Sequence, residues 1–292
     1  EPAPFDSTRR KYLKELFNYH NKHGEGRNVI LYGSAFTQKS GGPPELLTIT
    51  EEDVQGMMEV SYGLEKKPVD LIIHSPGGSP ESAEGIVEYL WAQFPKIRVI
   101  VPQLAMSAAT MIACASSSIV MGKHSSLGPL DPQLIINTPN GPTSNPAEAI
   151  IDQFYKALKE IKEDDKQAWS ILLHQYGPSL ITQCQNYIKM SKNLVEDWLN
   201  RFMFYGEKQQ GLASKIAQKL SKHSDFKSHG RHISRAKAKE MGLKIEDLEI
   251  DSTFQDLVLS IFHATTHTFT STQAFKIIEN QNGKAFIKMH NQ

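Results

Sequence analysis

Two short segments near the middle of the chain carry residue types suited to acyl transfer. Gly77 and Gly78 follow an apolar run and precede a capped helix, so their backbone N–H groups can face an incoming oxygen without an intervening side chain. Ser107 follows a second apolar run and opens a stretch of small residues. Unpaired N–H groups and a partial positive charge at the start of that helix would stabilise an oxyanion beside Ser107. We therefore predict a serine nucleophile and a nearby pair of backbone donors.

Each segment alone has a simpler interpretation, because Pro-Gly-Gly is a common turn and serine is a common N-cap. The functional interpretation depends on the elements that hold both segments. Strands are predicted over 69–73, 97–101 and 118–121, and helices over 80–94 and 107–116. Strands and helices that alternate at these intervals predict βαβ units and a mostly parallel sheet.

The rest of the chain is predicted to be mainly helical. Helices are expected over 7–22, from Thr50 with Asp53 as a capping acid, and over 146–172, 179–205, 209–222, 234–241 and about 253–264. A strand is expected over 28–32. A C-terminal hairpin is expected from runs 274–278 and 284–289, joined across Asn282-Gly283.

The bulk composition narrows the class of protein. The chain has 292 residues, with 32 basic and 32 acidic side chains, so it offers no general electrostatic reason to bind nucleic acid or an anionic membrane. It contains no apolar run of about 18 residues, and therefore no membrane span is predicted. The two cysteines, Cys114 and Cys184, lack metal-ligand or disulfide spacing. They are interpreted as buried reduced thiols of a cytoplasmic protein, and no cofactor is predicted.

Four motifs together resemble a known family. They are His74-Ser75-Pro76-Gly77-Gly78, Val101-Pro102, Ala105-Met106-Ser107-Ala108, and the segment from His124 through Leu127-Gly128-Pro129-Leu130-Asp131-Pro132-Gln133. This pattern is similar to the serine dehydrogenase proteinase family, which is related to signal peptide peptidases and Clp proteases. The resemblance is strong over about 69–133 and continues more weakly to Gly242-Leu243.

The resemblance implies an α/β fold: a crotonase-like, Clp protease-type spiral of βαβ units with a helical C-terminal part. The expected organisation is an N-terminal helix or arm (1–27), the protease domain (28–250) and a helix and hairpin tail (251–292). The resemblance also implies a homo-oligomer that acts on a peptide or protein substrate. Because the chain has no ATPase domain, the activity is expected to be independent of ATP.

The same resemblance implies roles for individual residues. Ser107 is the expected nucleophile. The N–H of Gly78, helped by Ala108 and with Gly77 beside it, is expected to form the oxyanion hole. Leu130 occupies the position where Clp proteases have their histidine, so a Ser-His-Asp triad is not expected. Asp131, next to that position, could orient a base or simply belong to an Asp-Pro turn.

A lysine is therefore the expected general base, and it would need burial among apolar neighbours to lower its pKa. Lys189 ranks first, because Tyr187, Ile188 and Met190 flank it and it roughly matches a lysine of the family. Lys156 ranks second and Lys192 third. For each of them, a solvated surface position is the competing interpretation.

Histidines offer a further alternative. His229, with Asp225 nearby, could complete a triad from another direction, whereas His124 is expected to support its loop. The spacing of His223, His229 and His232 matches no metal motif, so no metal is predicted.

Three functions follow from these observations. The favoured one is a serine peptidase with a Ser-Lys dyad. The second is an acyl-CoA enzyme of crotonase type, which the serine at the helix start and the lack of a well-placed glutamate disfavour. The third is a non-catalytic oligomeric scaffold of the same fold, which the missing histidine keeps open.

Overall fold

The computed structural model describes residues 5–138, 141–160, 177–207, 211–222 and 230–290. Its strands, in chain order, are β1 (Asn28–Ser34), β2 (Val69–His74), β3 (Ile97–Val101), β4 (Leu104–Ala105), β5 (Ser118–Met121), β6 (Ser126–Leu127), β7 (Gln133–Thr138), β8 (Gly141–Pro146), β9 (Ile233–Ser234), β10 (Ile245–Asp247), β11 (Ala274–Asn280) and β12 (Ala285–Met289).

The described helices, in chain order, are α1 (Asp6–Lys22), α2 (Pro44–Leu47), α3 (Glu51–Ser61), α4 (Pro80–Gln93), α5 (Ala108–Cys114), α6 (Ala147–Glu160), α7 (Leu180–Trp198), α8 (Leu212–Ser221), α9 (Arg235–Met241) and α10 (Ser252–Ser271). Helix α7 continues into a short π-helical segment, Leu199–Met203, and a 3₁₀ turn, Leu248–Ile250, precedes α10.

A seven-stranded sheet has the order β10-β5-β3-β2-β1-β11-β12. The five strands from β10 to β1 are mutually parallel, whereas β11 runs antiparallel to β1 and β12 antiparallel to β11. Two smaller sheets accompany it: β4-β6-β9, and the β7-β8 hairpin. The predicted parallel βαβ core is therefore present, and the C-terminal hairpin extends the same sheet.

Helices cover both faces of the large sheet, so its parallel strands are apolar on both sides. On one face, alternate residues such as Ile30 and Leu71 pack with α3, α4, α5, α7 and α8. On the other face, Leu31 and Ile72 pack with α1 and α10. A separate cluster joins the β7-β8 hairpin to α6 and α7 through Leu134 and its neighbours.

Capping side chains and prolines set the ends of the two helices that lead into the site, α3 and α4. The side chain of Ser79 accepts the N–H of Ser82 at 3.0 Å and caps α4, which opens with Pro80. Asp53 accepts the N–H of Thr50 at 2.9 Å, as the sequence predicted for the start of α3. Pro95 follows the end of α4, because proline cannot continue a helix.

Several elements differ from their predicted bounds. The β7-β8 hairpin was not predicted at all. The predicted tail helix, about 253–264, extends to Ser271, and the helix predicted over 179–205 gives way to π-helical backbone after Trp198. Of the helix predicted over 146–172, the part beyond Glu160 lies outside the described residues. The proposed domain boundaries, after residues 27 and 250, remain predictions.

Candidate functional site

The strand β4 turns sharply into helix α5 at Ser107. The backbone of Ser107 has φ 50° and ψ −120°, and Ser107 is the one non-glycine residue with positive φ in the part of the chain that the structure describes. An L-residue adopts this conformation only when its surroundings enforce it. A strained serine on a strand-to-helix turn is the geometry that exposes a nucleophilic hydroxyl in many hydrolases.

Hydrogen bonds on both sides hold this turn. Met106 donates its N–H to the carbonyl of Ser75 at 3.0 Å, and Ala109 donates to the carbonyl of Met106 at 2.9 Å. The hydroxyl of Thr110 lies 2.7 Å from the carbonyl of Ala105 and accepts the N–H of Gly128 at 2.9 Å. The turn is therefore fixed to the end of β2, to β4 and to the segment after β6.

Gly77 packs directly against the turn. A Cβ on Gly77 would lie 2.6 Å from the carbonyl oxygen of Met106, 2.7 Å from the Cβ of Ser107 and 2.9 Å from the backbone nitrogen of Ala108. Its φ of 94° also disfavours any other residue. The glycine thus allows the Pro-Gly-Gly segment to touch the serine and the first residue of α5.

Gly78 is held from the opposite side by Ile49. Ile49 donates its N–H to the carbonyl of Gly77 at 2.8 Å, and Ser79 donates its N–H to the carbonyl of Ile49 at 3.0 Å. In this parallel bridge the N–H of the central residue, Gly78, points away from Ile49. Within the described residues, the N–H groups of Gly78 and Ala108 have no protein acceptor.

Ser107 itself is partly exposed. Among the described residues, no side chain forms a hydrogen bond with its hydroxyl. The site therefore contains an accessible serine with a strained backbone. Next to the contact between Gly77 and Ser107 lie the N–H groups of Gly78 and Ala108, which have no acceptor among the described residues.

A family model described as ClpP-like SDH-type serine proteinase matches residues 44–261. The chain belongs to this family. The match includes Ile49, both glycines, Ser107 and the segment through Gln133, and it confirms the predicted family and the Clp-type α/β fold with a helical C-terminal part. A serine protease-type hydrolase is therefore the class of this protein.

Two similar proteins come from Methanocaldococcus jannaschii, and both are described as uncharacterized. One is 33% identical over 242 residues, which cover 82% of this chain and 73% of the relative. The other is 29% identical over 205 residues and covers 70% of this chain, and the chain spans only 61% of that relative.

Solved structures with a similar arrangement include two proteases. A mutant of the 1510-N membrane-bound stomatin-specific protease aligns with a TM-score of 0.43 at 15% identity and covers 72% of this chain and 79% of its own. ClpP1 from Listeria monocytogenes aligns with a TM-score of 0.39 at 10% identity and covers 71% of this chain and 90% of its own.

The candidate base lysines of this serine proteinase lie on α6 and α7. Lys156 is 66% exposed in its side chain and lies 3.8 Å from Glu160. Lys189 is exposed, whereas Lys192 is partly buried beside the packed face that includes Ser191 and Val195. Helix α7 packs against α5, the helix that Ser107 precedes. Among the described residues, none of these three lysines forms a hydrogen bond with the hydroxyl of Ser107.

The position expected for a Clp-type histidine is built into the core. Leu130 is buried, and its N–H donates to the carbonyl of Leu220 at 2.8 Å. Asp131 is also buried, and the side-chain amide of Gln133 donates to its carboxylate at 3.1 Å. Asp131 thus occupies a polar position inside the protein and not on an exposed turn.

The described histidines have other surroundings. His74, in the motif before Gly77, is buried between the rings of Phe36 and Phe262, at centroid distances of 4.8 and 4.9 Å. Burial lowers the pKa of His74 to about 4. His124 is exposed and its ring lies over Gly122.

His232 is also exposed, and the predicted candidates His229, Asp225 and His223 lie outside the described residues. Within the described ranges, no cluster of His, Cys, Asp and Glu could hold a metal ion. In the same ranges, no helix has the length and apolar character needed to cross a bilayer.

Both cysteines are buried and unpaired with each other. Burial raises the pKa of the Cys114 thiol to about 12 and also raises that of Cys184. Neither thiol is therefore a reactive nucleophile.

Sequence analysis did not identify two residues that shape the site, Thr110 and Ile49. Thr110 appeared only as one of several small residues in α5, and its hydroxyl proved to tie three segments together. Ile49 lies in a loop with no motif, and its bridge to Gly78 depends on a contact between segments that are far apart in sequence.

Proposed function

We propose that the protein hydrolyses peptide bonds through Ser107 as the nucleophile, with a lysine as the general base. The observation that carries this proposal is the strained backbone of Ser107, with Gly77 packed against its Cβ. Strain of this kind persists where the surrounding structure holds a functional conformation. The N–H groups of Gly78 and Ala108, for which the described residues supply no acceptor, are the donors that would bind the oxyanion of the tetrahedral intermediate.

In the proposed reaction the hydroxyl oxygen of Ser107 attacks the peptide carbonyl, and the base takes its proton. Collapse of the intermediate breaks the C–N bond as the protonated base gives that proton to the leaving amine. Water then attacks the acyl-enzyme as the same base takes its proton; the ester C–O bond breaks, and the base returns the proton to the oxygen of Ser107 as the carboxylic acid product leaves. No step requires ATP.

Burial distinguishes the three lysines that are candidates for the general base. A lysine base must lose its proton near neutral pH, and burial is what lowers a lysine pKa. Lys192 is the most buried of the three candidates and lies on the helix that packs against α5, which favours it over Lys189 and Lys156. We also retain Asp131 as a group that could orient the base or substrate, and His229 as an alternative.

Active-site labelling tests the proposal. A fluorophosphonate probe should add one label to the folded protein, and peptide mapping should place it on Ser107, whereas Ser107→Ala should remain unlabelled. Among Lys192→Ala, Lys189→Ala and Lys156→Ala, the variant that loses labelling while remaining folded names the base. Labelling at another residue would refute Ser107 as the nucleophile.

Among the described residues no side chain forms a hydrogen bond with the serine hydroxyl, and this favours a second candidate, a non-catalytic scaffold of the same fold. Self-association is part of both candidates. Large apolar side chains are exposed on the β7-β8 hairpin and on α6 and α7, including Ile135, Tyr155 and Tyr187, and such patches are typical of subunit contacts. A wild-type protein that stays unlabelled both as a monomer and as an oligomer would favour the scaffold.

A further inference from the structure

A buried ion pair lies behind the Gly77–Gly78 segment. Lys276, on β11, and Asp53, on α3, both have fully buried side chains, and the lysine Nζ lies 2.7 and 3.0 Å from the two carboxylate oxygens. The same Nζ donates to the carbonyl of Thr48 at 2.6 Å. Lys276 therefore binds both a charge and a backbone group, and it lies beyond the segment 44–261 that the family model matches.

The carboxylate of Asp53 has two further hydrogen-bond donors, and the Nζ of Lys288 lies 3.5 Å from it. The N–H of Thr50 donates to it at 2.9 Å, and so does the hydroxyl of Tyr32, at 2.9 Å. Lys276 and Asp53 thus fix the backbone at Thr48 and Thr50, the two neighbours of Ile49.

Ile49 is the residue that contacts the proposed oxyanion segment. Its N–H and its carbonyl bind the carbonyl of Gly77 and the N–H of Ser79. A Cβ on Gly78 would lie 2.4 Å from the backbone nitrogen and the carbonyl oxygen of Ile49, so the two backbones are in direct contact. Any shift of Ile49 must therefore rotate or displace Gly78.

We propose that Lys276 and Asp53 are positioning residues, which hold Ile49 so that its bridge aims the N–H of Gly78 at the oxyanion. The inference rests on the proposed function, because it assigns that N–H to the transition state. Oxyanion donors act only when they are placed within a fraction of an ångström, so a rigid support behind them has direct kinetic value.

Stability alone gives a weaker account of this pair. Buried ion pairs contribute little net stability, because desolvation offsets the attraction between the charges. Desolvation lowers the pKa of Lys276 to about 8 although Asp53 is in contact. An apolar pair of similar volume would fill the same space without that penalty, but it would not bind the backbone at Thr48 and Thr50.

The test compares Lys276→Met with Glu279→Gln. Glu279 lies on the same strand and is equally buried, and it pairs with Arg9 at 2.5 Å and with Arg10 at 2.6 Å. The control therefore weakens a buried ion pair on β11 at a position whose ion-pair partners lie on α1, away from the segment 48–50. Both variants are assayed at a temperature where circular dichroism shows each of them folded.

Two measurements are made on each variant. The first is fluorophosphonate labelling of Ser107, resolved into the reversible affinity of the probe and the rate of the covalent step. The second is amide hydrogen exchange at Ile49 and Ser79, which reports their bridge directly and does not depend on activity.

In Lys276→Met, the covalent step should slow by at least about tenfold while the probe affinity stays within about twofold. Exchange at both amides should become faster. Glu279→Gln should change neither measurement. If Lys276→Met does not fold, Tyr32→Phe removes one donor to Asp53 and should produce smaller changes in the same direction.

Unchanged exchange at Ile49 and Ser79 in a folded Lys276→Met protein would overturn the inference, and so would faster exchange with an unchanged covalent rate. A wild-type protein that takes no label at Ser107 would instead refute the proposed function. The exchange data would then still decide whether Lys276 holds Ile49.

Discussion

The backbone of Ser107 stores strain that a change of side chain can release. Its φ of 50° and ψ of −120° are accessible to glycine without cost, whereas any residue with a Cβ retains the strain. A residue held in such a region costs about 1–3 kcal/mol. Ser107→Ala keeps this cost and Ser107→Gly removes it, so the two variants differ chiefly in the strain.

Two smaller effects oppose the gain in the glycine variant. Glycine loses more backbone entropy on folding, which costs about 0.5–1 kcal/mol relative to alanine. The glycine variant also loses the burial of the Cβ. Because Ser107 is partly exposed, this loss costs only a fraction of the ~0.8 kcal/mol that a fully buried methylene contributes. We therefore expect Ser107→Gly to be about 1 kcal/mol more stable than Ser107→Ala.

Ser260 provides the matched control. It lies in the middle of α10, is partly exposed like Ser107, and has ordinary helical backbone. At Ser260 the glycine variant should be about 1 kcal/mol less stable than the alanine variant. The difference between glycine and alanine should therefore change sign between the two positions.

Urea unfolding of the four variants, at one protein concentration, measures this difference. Equal slopes of the free energy against denaturant would allow the midpoints to be compared directly. If glycine were less stable than alanine at Ser107 as well as at Ser260, the serine would not be strained, and the observation that carries the proposed function would be lost.

Two further predictions concern the same motif. Gly77→Ala should abolish labelling of Ser107 and cost about 1–3 kcal/mol more in unfolding free energy than Gly63→Ala, because both positions have positive φ but a Cβ has open space only at Gly63; equal losses would contradict the close approach. The free energy of unfolding should decrease as the pH falls from 6.5 to about 4. In this range the imidazole of His74 binds a proton only in the unfolded chain, because burial lowers its pKa in the folded protein. The total is on the order of 3 kcal/mol, and a His74→Gln variant with the same pH slope as the wild type would refute this account.

The central βαβ units could be predicted from sequence because helix-capping residues and prolines mark where their elements begin and end. Pro95 and Pro102 limit the run of β3, and Ser79-Pro80 marks the start of α4, so the predicted β3 and β5 agree with the structure at both ends. The β7-β8 hairpin was missed although Asn140-Gly141 gives the same kind of turn signal as Asn282-Gly283. Its flanking strands were hidden by the polar composition of β8.

The ranking of the three lysines shows a second limit, which concerns how well sequence predicts the exposure of a side chain. Lys189 ranked first because apolar residues flank it in sequence, but successive residues on a helix are rotated by about 100° from one another. Flanking residues therefore point to other faces. The buried face of α7 follows Cys184, Ser191, Val195 and Trp198, and Lys192 borders it, whereas Lys189 does not. The sequence predicts the helix that contains Lys189 and Lys192, but the exposure of each lysine depends on how that helix packs.

The two halves of the proposed site are held by different means, and perturbations should separate them. Local hydrogen bonds from Thr110 and Met106 hold the turn at Ser107 against its strain, so changes there should appear first in stability. The segment with Gly78 is held through Ile49 by Lys276, which comes from the last part of the chain. The whole ion pair contributes little net stability, but removal of Lys276 alone leaves the buried carboxylate of Asp53 without this partner, which costs about 3–5 kcal/mol. Stability alone therefore does not separate the two roles of Lys276. A folded Lys276 variant that loses both the rate of acylation and the bridge at Ile49, while Glu279→Gln loses neither, would distinguish positioning from packing.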